Sequence, residues 1–497
     1  MSREIRSLIF FFLLAIFLFG GPAIALWSQG YRFDTQNRRL TRVGGIFVKT
    51  EPADVLLHIS REQESRLDKG ASLTKQVTGS LFYNGVIVKN LLPRAYDVNI
   101  IAGPRRFTWS KKLEVEPLGV VRASHVVLIE KEVQGEFFGT ASSIAALWPV
   151  ALPGKLGDDI TSVWFQTKNS PILLSLRLDN PALKPEELFN PRTLQRTGSI
   201  KNILFSANGR NAIVEYDTNA IIWLPDAQGK TEKARLASKY LAKIAQESGT
   251  PVQSFHYVWH PLTPSRFFVV VKNGFYQVDT AQDQQLRITR VPLVGFGIGN
   301  AEAFFLTRDG DLFRINANTE PFLITSSHRE DFKNFSEEKN GGMWKIREGS
   351  NQTFVFTNAE GDAYMLERDR IVPIVRKSDA LALSLDGVKL VFAKDGKLWL
   401  YTLTRIADDF TLEKRTMVLL QDIGKTPSRL YWLQTHWHLL ALFPKEKQTQ
   451  FLEIDFREPL NSWTLNLDGA LDTSFWNPRT KTLWVLAEEK ILKWELR

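Results

Sequence analysis

From about residue 159 onward the chain repeats itself, and a repeat constrains a fold more tightly than composition does. Leu204-Phe205-Ser206-Ala207-Asn208-Gly209-Arg210 precedes Ala212-Ile213-Val214, as Leu383-Ser384-Leu385-Asp386-Gly387 precedes Lys389-Leu390-Val391-Phe392. Val258-Trp259-His260-Pro261 before Phe267-Phe268-Val269-Val270 matches Phe475-Trp476-Asn477-Pro478 before Leu483-Trp484-Val485-Leu486. Each unit is a strand, a polar turn, an apolar strand, a Gly- or Asp-containing turn and an aromatic-rich strand. Examples of the last are Leu398-Trp399-Leu400-Tyr401, Asp311-Leu312-Phe313-Arg314 and Ile491-Leu492-Lys493-Trp494.

Such units start near residues 159, 198, 251, 293, 342, 378, 427 and 471. They divide the segment into eight pieces of about 42 residues, the period of WD40-like, four-stranded propeller blades. Radial stacking buries the faces of each sheet against its neighbours and leaves only short edges. Residues 159–497 are therefore expected to form a β-propeller of eight blades, or of seven if Thr161–Leu178 and its Pro-rich sequel are not a full blade. The last unit shows three strands, and a strand around Glu136–Thr140 can complete it and close the ring. Residues 134–158, rich in Gly, Pro and small side chains, are expected to be a linker. One segment breaks the period: Thr231 can cap a helix with Leu236, Tyr240, Leu241 and Ile244 on one face, Gly249 ending it. An insertion packed on its own propeller is expected there, rather than a partner-binding helix.

At the other end, Leu8–Trp27 runs 20 residues without a charge, and 13 of them are Leu, Ile or Phe. As a helix it spans about 30 Å, the hydrocarbon thickness of a bilayer. Two readings fit. One is an anchor within residues 1–30, with Trp27 and Tyr31 at the interface. The other is a signal peptide, with Arg3 and Arg6 first, a break at Gly20-Gly21-Pro22 and cleavage at Ala23-Ile24-Ala25. Arg32, Arg38, Arg39 and Arg42 follow the run and argue for a cytoplasmic body. The signal-like start argues for an extracytoplasmic one, which is the reading adopted.

The net charge is +9, and residues 1–133 carry 19 Lys/Arg against 12 Asp/Glu, so most of the excess lies beside the apolar run. It can draw that part of the chain toward anionic lipid or wall polymer, or be an ordinary solvated surface. No basic, aromatic-interleaved stretch points to nucleic acid.

From Gly44 to about Glu132 the chain reads as short strands and turns. Val48-Lys49-Thr50-Glu51-Pro52-Ala53-Asp54-Val55, then Val88-Lys89-Asn90-Leu91-Leu92-Pro93-Arg94-Ala95-Tyr96-Asp97-Val98, then Trp109-Ser110-Lys111-Lys112-Leu113-Glu114-Val115 resembles the PEGA domain. Residues 44–133 depart from that family where Arg94 replaces the usual Gly and where Ser60–Ser80 is longer and more charged than a tight turn. The resemblance implies a small β-sandwich-like module of bacterial or archaeal envelope proteins, often beside a membrane helix, with no catalytic residues to carry over. With the run before it, it favours an uncleaved anchor.

Candidate chemistry is sparse. The chain has no cysteine, which excludes disulfides, thiolate metal sites and cysteine nucleophiles. Among seven histidines, His436-Trp437-His438 is the best metal candidate, because imidazoles two apart on a strand share a face; no third ligand is apparent, so no metal is expected. Gly424-Lys425-Thr426 lacks the first Gly of a phosphate loop, Leu419 standing there. Asp309-Gly310-Asp311, Glu360-Gly361-Asp362 and Asp395-Gly396-Lys397 are expected to be hairpin turns. Trp164, Trp259, Trp432 and Trp476 are expected to pack between blades rather than stack on sugars.

Neither catalytic residues nor a cofactor are expected. The sequence leads to a mainly β, membrane-anchored, non-enzymatic envelope scaffold whose propeller binds a protein or wall polymer. The alternative is a tethered propeller hydrolase or lyase acting on glycans, which needs carboxylates converging at one mouth of the ring.

Overall fold

The computed structural model describes residues 3–34, 38–61, 73–77, 85–131, 136–138, 144–152, 159–168, 170, 172–178, 185–189, 200–206, 209, 211–216, 220–223, 234–236, 238–260, 263–298, 302–315, 321–325, 343–350, 353–367, 370–433, 436–466, 473–477, 480–487 and 490–495. Its helix Arg3–Ala15 passes through a π-helical turn, Ile16–Gly20, into Gly21–Ser28. Gly20-Gly21-Pro22 therefore does not end the helix. Pro22 follows just after the π-helical turn, so the helix runs on past it with one bond of the ladder missing. Ser7–Ser28 is long and apolar enough to cross a membrane, and none of it is buried within the protein. A signal sequence has the same property.

Next come a hairpin, Tyr31–Asp34 with Arg39–Arg42, and the two sheets of the module. Gly44–Glu51 is the centre of a three-stranded sheet between Gly85–Leu91 and Val120–Val127. Facing it is a four-stranded sheet in the order Leu73–Val77, Val55–Arg61, Ala95–Ile101, Trp109–Glu114. Alternate residues of both, among them Ile46, Val48, Leu57, Val98 and Leu113, form the core of a small sandwich. Arg94 pairs with the buried carboxylate of Asp34 at 3.2 Å, tying the hairpin to the sandwich.

The remaining described strands form six four-stranded sheets, one small two-stranded hairpin and one eight-stranded sheet, which is two four-strand groups joined by parallel pairing of Leu293–Ile298 with Trp344–Glu348. That junction needs glycine, since a Cβ on Gly297 would lie 1.8 Å from the Ile346 carbonyl oxygen. Each four-strand group shares a buried apolar cluster with the next, and the last shares one with the first, through Phe475, Trp484 and Ile491 against Ile144, Val163 and Phe165. The arrangement is a closed β-propeller. First strands lie side by side at several junctions, as Ile144–Leu152 with Ile200–Phe205, Ile200–Phe205 with His256–Trp259, and Ala380–Leu383 with Arg429–Trp432.

The stretch 134–158 is not simply a linker. Glu136–Phe138 pairs with Lys490–Glu495 and supplies the fourth strand of the closing blade. Ile144–Leu152 is the first strand of the next blade, paired with Asp159–Thr167. Its Pro149 and small residues hid a strand whose partner was visible. The helical insertion is also displaced: Ala234–Leu236 is a strand and the helix is Ser238–Ser248, ended by Gly249 at φ +66°. Leu241 and Ile244 are buried between the second and third blades, whereas Thr231 lies outside the described residues.

The acidic turns are as the sequence reads. Asp395 and Gly396 both take positive φ, 52° and 70°, the two-residue turn that matches strand twist between Lys389–Lys394 and Lys397–Thr402. Gly310 and Gly361 likewise take positive φ in their turns.

Candidate functional site at the module and propeller joint

The strand Trp109–Glu114 is the edge of its sheet, and an open edge presents unpaired backbone groups. The seventh blade, whose third and fourth strands are Gln448–Glu453 and Ser462–Asn466, covers this edge with the segment between them. The Lys112 N–H donates to the Glu458 carbonyl at 2.7 Å. Asn461 acts like a paired backbone unit: its Oδ1 accepts from the Ser110 N–H at 3.3 Å and its Nδ2 donates to the Ser110 carbonyl at 3.1 Å.

Strand alternation turns Trp109, Lys111 and Leu113 to one buried side. Trp109 Nε1 donates to Glu453 at 2.9 and 3.1 Å, and Asn461 Nδ2 donates to the same carboxylate at 2.8 Å. Lys111, with a side chain 0% exposed, places Nζ 3.6 Å from Glu453 and donates to the carbonyls of Asp455 at 2.9 Å and Arg457 at 2.6 Å. Burial pushes the Glu453 carboxyl above the usual carboxylate range; Lys111 opposes the rise and Asp455 adds to it. Arg457 is held on Asp455 by bonds of 2.6 to 3.0 Å and donates across the joint to the Arg122 carbonyl at 2.8 Å. On the neighbouring closing blade, Lys481 pairs with Glu51 of the module.

A second contact comes from the sixth blade. Between its strands Lys397–Thr402 and Met417–Asp422 a small hairpin, Ile406–Ala407 with Thr411–Leu412, carries Asp408, Asp409 and Phe410 at its tip. His125 of the module strand Val120–Val127 meets it, Nε2 to Asp408 Oδ2 at 2.8 Å. Asp409 Oδ2 accepts from the Ser124 N–H at 2.5 Å. Trp437 stacks on the His125 ring, centroids 4.8 Å apart and planes 18° apart, and Phe410 meets Trp437 edge-on. The ring nitrogen and the two carboxylates lie within 4.8 Å of one another and form the candidate cation ligands among the described residues.

The histidine pair singled out by sequence behaves otherwise. His436 sits in a turn at φ +56°, before the strand His438–Phe443, so the two rings are not on one strand face. His438 is fully buried, and burial with nearby His125 pushes its pKa down to about 3. Lys425 donates to Gln448 at 2.7 Å and lies over the Phe443 ring, as a loop residue. The four tryptophans are buried. Trp259 donates to the Leu204 carbonyl at 2.7 Å and Trp432 to the Ala382 carbonyl at 3.0 Å, each linking the first strands of adjacent blades. Trp164 lies one strand out of step with them, opposite Trp148, because its blade begins at Ile144.

The joint itself was not legible in the sequence: its partners are some 280 to 350 residues apart. Two signals pointed toward it. The sixth unit is lengthened between its third and fourth strands, and Lys111 occupies an inward position of an otherwise apolar alternation.

No family model matches the chain and no curated protein does, so the PEGA resemblance of residues 44–133 rests on the residues quoted for it. Solved structures do match. The β-propeller domain of Myceliophteria thermophila Cps50 (Swd1) is 10% identical, covering 61% of this chain and 98% of that one at a TM-score of 0.35. Saccharomyces cerevisiae Sqt1 is 10% identical over 73% and 98%, at 0.43. PorZ, a bacterial surface component of the type-IX secretion system of Porphyromonas gingivalis, is 12% identical over 69% of this chain and 42% of its own, at 0.35. This chain spans less than half the length of PorZ. At these scores the likenesses carry no argument, and the propeller stands on its own sheet order and shared apolar clusters.

Proposed function

We propose that this chain is a membrane-tethered, non-enzymatic scaffold of the bacterial cell envelope, its body outside the cytoplasm, whose β-propeller binds a protein or wall polymer. The observation that carries the reading is the joint. The sandwich next to the apolar helix is fastened to the seventh blade by the Lys111–Glu453 network and packs its core on the seventh and closing blades, so it can hold the ring in a set orientation relative to a tether. The basic excess of residues 1–133 suits an anionic surface at that end. Membrane lipid is one partner in this reading, nucleic acid is not.

The test is fractionation of cells expressing the full chain, followed by proteolysis of intact spheroplasts and cross-linking with identification of the captured partner. Retention through high-salt and alkaline washing, with protease access from outside, is expected. A soluble form beginning near Leu26 would establish a cleaved signal instead.

The tethered hydrolase or lyase keeps one specific observation in its favour. Partial burial and nearby Glu302 raise the Glu348 carboxyl above its usual range against the pull of Arg314, which lies 3.5 Å from Glu302. Turnover of peptidoglycan or polysaccharide abolished by Glu348→Gln would replace the scaffold reading.

A further inference from the structure

The hairpin tip that meets the module brings together one imidazole and two carboxylates from segments with no sequence relation. An acidic tip alone is ordinary, but Asp409 is not. Its side chain is 5% exposed, and while Oδ2 accepts from Ser124, Oδ1 is buried without a hydrogen-bond partner. A buried carboxylate oxygen left unpaired is costly, and a cation is a partner that would satisfy it.

We propose that His125, Asp408 and Asp409 bind a divalent first-row transition cation that staples the module to the sixth blade. Imidazole with two carboxylates is a zinc- or manganese-type donor set rather than the all-oxygen shell of calcium. Ligands about 2.0–2.1 Å from a tetrahedral zinc are about 3.3 Å apart. The donors here need to draw in from 4.8 Å at most, and the His125–Asp408 contact of 2.8 Å needs to open slightly. Asp408 is exposed and free to adjust, whereas His125 is oriented by Trp437 and Asp409 by Ser124. Two cations oppose the metal: Arg457, 4.0 Å from Asp409 and already engaged by Asp455, and Lys389, which lies over Trp437, interacts with Asp408 and is engaged by Asp386 at 3.0 Å. The remaining coordination positions fall to water.

The experiment uses the full chain in detergent micelles, without a histidine tag and stripped by chelator, titrated calorimetrically with Zn2+ and followed optically with Co2+. One saturable equivalent is expected, with visible Co2+ bands of a nitrogen- and oxygen-ligated site and a raised Tm. Asp409→Asn and His125→Gln should each weaken binding at least tenfold, as should Asp408→Asn, whose exposed position keeps folding out of question. His58→Ala, on the far sheet of the module, should change nothing. Absence of saturable binding, or wild-type affinity in the Asp408 and His125 variants, would overturn the site.

Discussion

Neighbouring blades of the ring meet chiefly through apolar side chains, such as Phe268, Phe275 and Phe305 between the third and fourth, with polar contacts at the margins of that packing: indole bonds between first strands, Tyr431 and Arg429 on the Ser474 carbonyl, and Lys414 and Arg415 on Glu367. The module meets the ring through apolar residues too, but at the centre of that contact lie Lys111, Glu453, Asn461 and Asp455. Apolar contact stabilises in proportion to area and tolerates small shifts, whereas a buried ion pair adds little net stability and permits few geometries. The comparison teaches that the ring is held mainly by the first kind of contact, whereas the module's orientation is specified by a buried instance of the second.

The strongest way to break the comparison is at the closing blade. Removing Thr473–Glu495 takes away three of its strands and exposes the faces of Ile144, Val163, Leu440 and Phe451. We expect aggregation, read by size-exclusion chromatography; a monomeric, cooperatively folded truncation would contradict the apolar account of the ring.

Next in size, Lys111→Ala leaves Glu453 buried without its cation, at a cost of about 3–5 kcal/mol. The double variant Lys111→Met with Glu453→Leu should recover most of that loss yet relax the orientation of the module, seen as new protease cleavage at the joint. If the double variant is as unstable as the single one, the pair contributes stability and not only orientation.

A smaller effect separates burial from pairing within the seventh blade. His438 has a pKa depressed from 6.5 to about 3, so between those values the unfolded state binds the extra proton. Stability should therefore be present above pH about 6.5 and fall as pH drops toward 3, by at most about 1.4 kcal/mol per pH unit from this group. Glu453, with a raised pKa, contributes a slope of the opposite sign above its ordinary range. His438→Gln should flatten the acid slope by one proton in urea titrations at several pH values; an unchanged slope would reject the assignment.

The smallest expected effect is Trp259→Phe. It keeps most of the apolar contact and loses only the bond to Leu204, about 1 kcal/mol, measured as a shift in urea midpoint. A loss several times larger would show that the blades also depend on polar registration.

Much of the ring was legible from residues alone. Seven of the eight unit starts lie within a few residues of first strands, because apolar alternation and Asp-Gly turns are written in adjacent positions. The exception is Ile144–Leu152, where Pro149 and small residues gave no strand-like alternation, and the strand is held by pairing along Asp159–Thr167. The helix was legible in kind but late in start, since Leu236 fits an apolar helical face as well as the edge strand it occupies. His436-Trp437-His438 looked like one strand face, and the positive φ of His436 places it in a turn.

What the sequence by itself determined is what recurs locally: a β repeat of about 42 residues, its turns, an apolar amino-terminal run and the lack of cysteine. What only the tertiary structure decided is the company these pieces keep. It set Glu136–Phe138 beside Lys490–Glu495, Lys111 beside Glu453, and His125 beside Asp408 and Asp409. Strand period and turn chemistry act between near neighbours in the chain and leave a pattern there. Ring closure and a buried charge pair depend on surfaces that exist only after hundreds of intervening residues have folded, and so leave no local pattern to read.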